Sequence, residues 1–308
     1  MSANPAPRVS VIIPTYRRPE LLVEAVGSVV GGTYTDLELL VLNDGPEEDL
    51  ALARSRFPDP RIQWITRSRR LGFLANHLDG FRRARGEFVA NLDDDDRWDE
   101  HLLERLVPIL EHDPDLSVAF ADHFVVDASG DVDEQRSIAN SRRWGRAALA
   151  PGAHRPFIEL ALVDRAIAIQ CAAVFRLRWL DLDDYDERIG SCWDLWTTYQ
   201  LARGGAGAWY EPQRLAFYRE HAGGISASGR ETTARSAIYC WERWLADPSL
   251  ARYRSRLARP LFAAHLRLAY ELAGSGRPVE ALRHTGRAAQ LAPWLARGLA
   301  HGEAKLGR

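Results

Sequence analysis

The sequence predicts an α/β fold: a mostly parallel sheet with helices on both faces, extended at its C-terminus by a helical unit. Three observations carry that prediction. Through the first 120 residues, short apolar runs rich in β-branched residues alternate with stretches of helical periodicity, the pattern of consecutive βαβ units. Those runs end in turn chemistry, of which Asn43-Asp44-Gly45-Pro46 is the strongest instance. Beyond Gly229 the pattern is helical throughout.

Taken in order, Val9-Ser10-Val11-Ile12-Ile13 is the first strand, closed by Pro14. Pro19-Glu20 opens a helix that runs to Val30, with proline where its missing N–H costs nothing. Leu37 to Leu42 is the second strand. A helix over Glu47–Phe57, a strand over Arg61–Thr66, a helix over Leu74–Arg85 and a strand ending at Asp93 complete the alternation. Leu116–Val126 is a further strand. Ala128–Arg155 is polar, Gly/Arg-rich and without a clear period, so it is expected to be a long loop or lid. Ala166–Phe175, Gly207–Glu211 and Leu215–Tyr218 read as strands, with a helix over Trp193–Arg203 between the first two. Phe262–Ala273 and Val279–Leu291 form a helix pair around Gly274-Ser275-Gly276-Arg277-Pro278, resembling a single tetratricopeptide-type hairpin.

With 308 residues, 46% apolar and 27% charged, the chain has room for one large α/β domain and an appendage, or for two domains. No stretch approaches the roughly 18 uncharged apolar residues of a membrane span, and Met1–Arg8 lacks the apolar core of a signal peptide. Cys171, Cys192 and Cys240 are widely spaced and odd in number, so they make neither a disulfide framework nor a zinc pattern. A reduced, cytoplasmic setting is the expectation. The net charge of −2 conceals an asymmetry: from Ser226 to Arg308 there are fourteen Lys/Arg against six Asp/Glu, so the remainder is acidic. The basic tail can pack on the acidic body or attract an anionic surface or partner.

The chemistry is concentrated in Leu92-Asp93-Asp94-Asp95-Asp96, directly behind the apolar Phe88-Val89-Ala90. Four adjacent carboxylates repel one another unless a cation neutralises them. Their place at a strand's C-terminal end is where open α/β sheets bind ligands. Carboxylates are hard oxygen donors suited to Mg²⁺ or Mn²⁺, metals that also hold substrate phosphates. Asn43-Asp44-Gly45 and the loop Pro14-Thr15-Tyr16-Arg17-Arg18 follow neighbouring strands at the same edge. Together these groups frame a crevice suited to a nucleotide with a metal-bound pyrophosphate. Neither G-x-G-x-x-G nor a P-loop is present, so a diphosphate there would be held by metal rather than by a glycine loop.

The loop and strand Val9 to Arg18, the strand and turn Glu38 to Gly45, and the residues Gly72, Asn76, Ala84, Gly86 and Glu87 precede this acidic run. Phe217-Tyr218-Arg219-Glu220-His221 with Gly223-Gly224-Ile225-Ser226 follows it. In residue type and order they resemble family 2 glycosyltransferases of the GT-A fold, over roughly residues 8 to 225. The opening segment is similar to a V-S-V-I-I-P-T-Y-N-R type, with Arg17 where Asn is frequent. The acidic run is similar to the L-D-x-D-D form of a D-x-D motif.

The resemblance implies transfer of a sugar from a nucleotide-diphosphate donor, a UDP-sugar, to an acceptor hydroxyl or amine, with inversion. It implies that Asp44 contacts the base and that Pro14, Thr15, Tyr16, Arg18, Gly72, Asn76, Asp93 and Asp94 surround the nucleotide sugar. Asp93, Asp95 and His221 would hold Mg²⁺ or Mn²⁺. Residues 1–115 would form the nucleotide-sugar half, 116–228 the acceptor-side half and 229–308 a basic helical extension. The Ala128–Arg155 stretch would order over bound donor.

The general base departs from the pattern. The family's E-D-w-D-L-W aligns with Ser191-Cys192-Trp193-Asp194-Leu195-Trp196, placing Cys192 where a carboxylate is usual. Asp194 is the nearest acid, at a helix N-terminus whose dipole favours its ionised form; Asp183, Asp184 and Asp186 are alternatives. Two rivals stand beside this reading. A sugar-phosphate nucleotidyltransferase would carry a glycine-rich, basic first loop, and Pro14-Thr15-Tyr16 has no glycine. A non-catalytic nucleotide-sugar-binding or scaffold protein would have no reason to keep Asp93 to Asp96 clustered. The acceptor stays open among saccharide, lipid carrier, peptide and small natural product. No nucleic-acid partner is expected, and the C-terminal helices could serve homo-oligomerisation or peripheral membrane contact.

Overall fold

Strand β1 (Val9–Thr15) is buried along its whole length, as expected of a strand covered by helices on both faces. The computed structural model describes residues 6–220 and 229–303. They divide into two compact units, residues 1–185 with 197–221 and residues 186–196 with 222–308.

In the first unit, α1 (Pro19–Val30) follows β1 and leads to β2 (Leu37–Asn43), also wholly buried. A 3-10 turn (Glu47–Leu50) and α2 (Ala51–Arg56) connect to β3 (Ile62–Thr66). Helix α3 (Phe73–Arg83) then leads to β4 (Phe88–Asn91). These four strands run parallel in the order β3-β2-β1-β4. Gly86 lets the chain enter β4 against β1, because a Cβ there would lie 2.6 Å from the Ser10 backbone nitrogen. The buried Glu38 carboxylate is satisfied by Ser10 Oγ (2.6 Å), Gln63 Nε2 (2.9 Å) and the Arg85 amide (2.8 Å).

The sheet continues with β5 (Arg97–Trp98), α4 (Leu102–His112), β6 (Leu116–Val126), α5 (Glu134–Arg143), β7 (Gly152–His154), β8 (Ala173–Arg176), α6 (Trp193–Arg203) and β9 (Gly207–Arg219). Beyond β4 the order is β8-β6-β9-β5, with β7 also on β9. β8 is antiparallel to β4 and β6, whereas β6 and β9 are parallel.

Three segments differ from the sequence expectation. Ala128–Arg155 is not one long loop: it contains α5, a 3-10 turn (Arg146–Ala148) and β7. Asp133 caps α5 by accepting from the Arg136 amide, and the segment is anchored by buried polar side chains. Ser137 Oγ accepts from the Val125 amide (2.8 Å), and Arg146 Nε donates to Asp122 Oδ1 (2.7 Å). The helix therefore shows no apolar stripe to read.

Ala166–Phe175 is a strand only from Ala173. Its apolar first part is buried in turns behind the acidic run, where the Gln170 carbonyl accepts from the Asp93 amide (3.3 Å) and the Cys171 carbonyl from Trp98 Nε1 (2.6 Å). Finally, Gly207–Glu211 and Leu215–Tyr218 are one strand, in which the exposed Pro212 sits beside a shift of register against β6, a position where strands tolerate proline.

The second unit contains residues 186–196, α7 (Arg230–Ala246), a 3-10 turn (Pro248–Tyr253), α8 (Arg254–Gly274) and α9 (Pro278–Glu303). Trp244 is fully buried, stacked on Trp196 at 5.8 Å and edge-on to Trp241 at 4.8 Å. No helix of the described residues is long and apolar enough to cross a membrane.

Candidate active site

The C-terminal ends of β1, β2 and β4 deliver three loops to one edge of the sheet, because all three strands run the same way. At the end of β4 the chain makes a tight turn in which the Asp96 amide donates to the Asp93 carbonyl (3.0 Å). That turn divides the four carboxylates by direction.

Asp94 points to the first loop. Its Oδ2 accepts from Thr15 Oγ1 (2.7 Å) and from the Tyr16 amide (3.4 Å), and its Oδ1 from Arg18 (2.8 Å). Arg18 reaches Asp95 Oδ2 as well, at 2.6 Å. Asp93, Asp95 and Asp96 offer oxygens that all lie within 4.8 Å of one another, an all-oxygen donor set of the kind Mg²⁺ and Mn²⁺ take.

Asp96 is the residue that the sequence reading left out of that set. One of its oxygens accepts from the Arg219 amide (2.8 Å), while the other is buried without a hydrogen-bond partner among the described residues. A buried carboxylate oxygen left unpaired is costly, and a cation beside Asp93 and Asp95 would satisfy it. Burial, followed by the charges of Asp95 and Asp93, pushes the Asp96 carboxyl well above the usual carboxylate range. Burial likewise pushes Asp94 up to about 6, against the opposing pull of Arg18.

Arg219, at the end of the β9 strand that pairs with β5, fastens the turn by donating to the Asp95 carbonyl (2.8 Å), the Ala128 carbonyl (3.0 Å) and Glu24 (2.5 Å). Its signal lay in the Tyr218-Arg219 pair of the closing segment. His77, fully buried, stands 3.6 Å from Asp93.

The second loop is built around Asp44, whose two oxygens accept from the Leu71 (2.6 Å) and Gly72 (2.8 Å) amides. Gly72 has φ +87°, a conformation that favours glycine, and its side adds no Cβ to the crevice. Asn76 ties the end of β2 to the next loop, donating to the Leu42 carbonyl and accepting from Arg67 (2.8 Å each). Arg70 lies 4.1 Å above the Tyr16 ring and 3.6 Å from Asp44; the basic run Arg67-Ser68-Arg69-Arg70 was its sequence signal. Arg17 has φ +55° and its amide donates to Asp49 (3.0 Å). That left-handed conformation accounts for the Asn frequent at the corresponding place in the family it resembles. Pro14 is buried in β1, opposite Leu42.

Of the residues named from sequence, Thr15, Tyr16, Arg18, Asp94 and Asp95 are thus linked in one network, and Asp44 with Gly72 in another. Asp194 belongs to the second unit, half-buried in the first turn of α6. Beside it Cys192 is buried against Cys240, and the hydrogen bond between their side chains, with burial, pushes the Cys240 thiol up. Among the alternatives, Asp183 is almost fully exposed, Asp184 pairs with Arg203 (3.3 Å), and Asp186 is held well below the usual range by Arg188. His221 lies outside the described residues.

The chain is similar in sequence and in fold to known glycosyltransferases. A Campylobacter jejuni GalNAc(5)-diNAcBac-PP-undecaprenol beta-1,3-glucosyltransferase is 36% identical over 93 residues, 29% of this chain and 30% of that protein. The Escherichia coli UDP-Glc:alpha-D-GlcNAc-diphosphoundecaprenol beta-1,3-glucosyltransferase WfgD is 30% identical over 102 residues, 33% of this chain and 40% of that protein. The matches thus span less than half of these relatives' length. Among solved structures, S. aureus TarS 1-349 in complex with UDP-GlcNAc superposes with a TM-score of 0.61, at 13% identity, over 92% of each chain. The mannosyltransferase PcManGT from Pyrobaculum calidifontis, in complex with GDP-Man and Mn²⁺, gives 0.55 at 20% identity over 96% of this chain and 80% of that one. At such identities they share the fold. The model of glycosyl transferase family 2 matches residues 10–178, more than half of the chain, and the protein belongs to that family.

Proposed function

We propose that this glycosyltransferase moves a sugar from a uridine-diphosphate donor to an acceptor hydroxyl or amine, with inversion and with dependence on Mg²⁺ or Mn²⁺. The observation that carries the reading is the set of oxygens from Asp93, Asp95 and Asp96 within 4.8 Å, at the strand edge that also presents Asp44 and Arg18. The UDP-glucose for which WfgD is named and the UDP-GlcNAc of the TarS complex support a UDP-sugar, and the Mn²⁺ of the PcManGT complex supports the metal.

Asp93, Asp95 and Asp96 would hold the cation, and His221 remains a proposed fourth ligand. Once bound, it supplies Lewis-acid stabilisation of negative charge on the departing diphosphate. The protein's own groups do the rest. Asp44 and the loop it closes orient the nucleoside, with Arg70 and Tyr16 forming a flat, cationic flank. Arg18 keeps Asp94 and Asp95 apart in charge and aligned toward the crevice. Asp194 takes the acceptor's proton as the acceptor oxygen or nitrogen bonds to the anomeric carbon, and the bond to the diphosphate breaks on the opposite face. The test is release of UDP from UDP-glucose and UDP-GlcNAc in Mn²⁺ with candidate acceptors. UDP release that survives in Asp95→Ala contradicts the reading, and so does formation of pyrophosphate from UTP and a sugar 1-phosphate.

A further inference from the structure

Helices α8 and α9 bury one side and leave another uncovered. Seven large apolar side chains are at least 36% exposed among the described residues, and five of them lie in this hairpin: Leu266, Tyr270, Val279, Leu282 and Trp294. Tyr270 (77%) and Leu282 (71%) are the most exposed, whereas Leu268, Leu272, Ala281 and Ala288 on the same helices are buried.

Basic side chains accompany this stripe. At about 100° per residue, Arg259 and Arg267 fall on the Leu266–Tyr270 side of α8, and Arg283 falls beside Leu282 and Arg287 just beyond it on α9. All four arginines are exposed, and no acidic side chain of the described residues pairs with them. Their neighbour Arg277, by contrast, is paired with Glu231 (2.8 Å) and Glu280 (2.7 Å). The face is therefore an apolar centre flanked by uncompensated positive charge.

A second copy is a poor occupant for such a face, because apposing two of them brings unpaired guanidinium groups together, and like charges at an interface are penalised. An anionic bilayer complements both halves: the apolar side chains enter the headgroup–acyl boundary, and arginines pair with lipid phosphates. We infer that the α8–α9 face docks peripherally on an anionic phospholipid surface through Leu266, Tyr270, Val279 and Leu282, with Arg267, Arg283 and Arg287 as its electrostatic contacts.

The inference is independent of the donor reading, since its test measures membrane partition and not turnover. The full chain is sedimented with phosphatidylcholine vesicles with and without phosphatidylglycerol. Partition is expected on the anionic vesicles alone and is expected to fall with salt. Each arginine near the surface contributes about fivefold, so Arg267→Gln, Arg283→Gln and Arg287→Gln combined should lower partition on the order of a hundredfold. Tyr270→Asp with Leu282→Asp should abolish it while leaving the melting temperature and nucleotide affinity unchanged. No partition, equal partition on neutral vesicles, or unaltered partition of both variants overturns the inference. So does a dimer in light scattering that Leu282→Asp dissociates.

Discussion

Asp96 concentrates the conflict that the proposed cation would resolve: a buried carboxylate with one oxygen unpaired among the described residues, beside two further negative charges. Asp96→Asn should therefore leave the metal-free protein at least as stable as the parent while removing the rise in melting temperature that Mn²⁺ and donor produce together. A ligand at a thousand times its dissociation constant adds roughly 4 kcal/mol, so differential scanning fluorimetry resolves the loss. The neighbouring Asp94 makes a pH prediction. Its folded pKa, about 6, is raised above the ordinary 3.8, so its stabilising effect is full below the lower value and is lost as pH rises through the higher one. In chelator, the parent should lose stability relative to Asp94→Asn between those pH values; parallel profiles would contradict the assignment. Asp44 works through both carboxylate oxygens, so Asp44→Ala frees the Leu71 and Gly72 amides. It should weaken UDP binding by about 1.5–3 kcal/mol, read by calorimetry. Unchanged affinity would remove Asp44 from the nucleotide site.

At the scale of elements, the segment after β6 is held by charge rather than by apolar packing. Arg146 is almost wholly buried and bonded to Asp122, Asn140 and the Ala166 carbonyl. Breaking such a pair by removing one partner costs about 3–5 kcal/mol. Asp122→Ala should therefore expose residues 134–148 to limited proteolysis before the rest of the first unit is cut. The helical hairpin carries its own titration. His265, in contact with His284 at 3.0 Å, is lowered to about 4 by burial and then by the His284 charge. The unfolded chain takes up that proton near pH 6.5, so stability from His265 is present above this pH and lost as pH falls toward about 4. His265→Gln should flatten that acid limb in circular-dichroism melts.

These elements also show what the sequence could disclose. The strands β1, β2 and β4 and the acidic turns at their ends were legible because doubly covered strands are unbroken apolar runs. The C-terminal helices were legible by period. Helix α5 was not, because Ser137 and Ser141 take the buried positions that apolar residues usually mark. Asp96 and Arg219 are 123 residues apart and meet only through the β5–β9 pairing, which no local spacing encodes. Asp93, Asp95, Arg18 and Asp44 could be named from motif order, but the division of the acidic run, Asp94 to the first loop and Asp96 to the cation set, is a property of the turn.

For the molecule as a whole, which belongs to glycosyl transferase family 2, the proposed transfer makes a specific demand on the carboxylates: nucleotide-diphosphate binding and divalent metal must be coupled. The most direct measurement is calorimetric titration of UDP into the full chain, in Mn²⁺ and in chelator, for the parent and for Asp95→Ala. The account predicts binding by the parent in Mn²⁺, loss of that binding in chelator, and a variant that stays folded but shows no response to the metal. Equal UDP affinity with and without Mn²⁺, or an Asp95→Ala protein that binds like the parent, would contradict it.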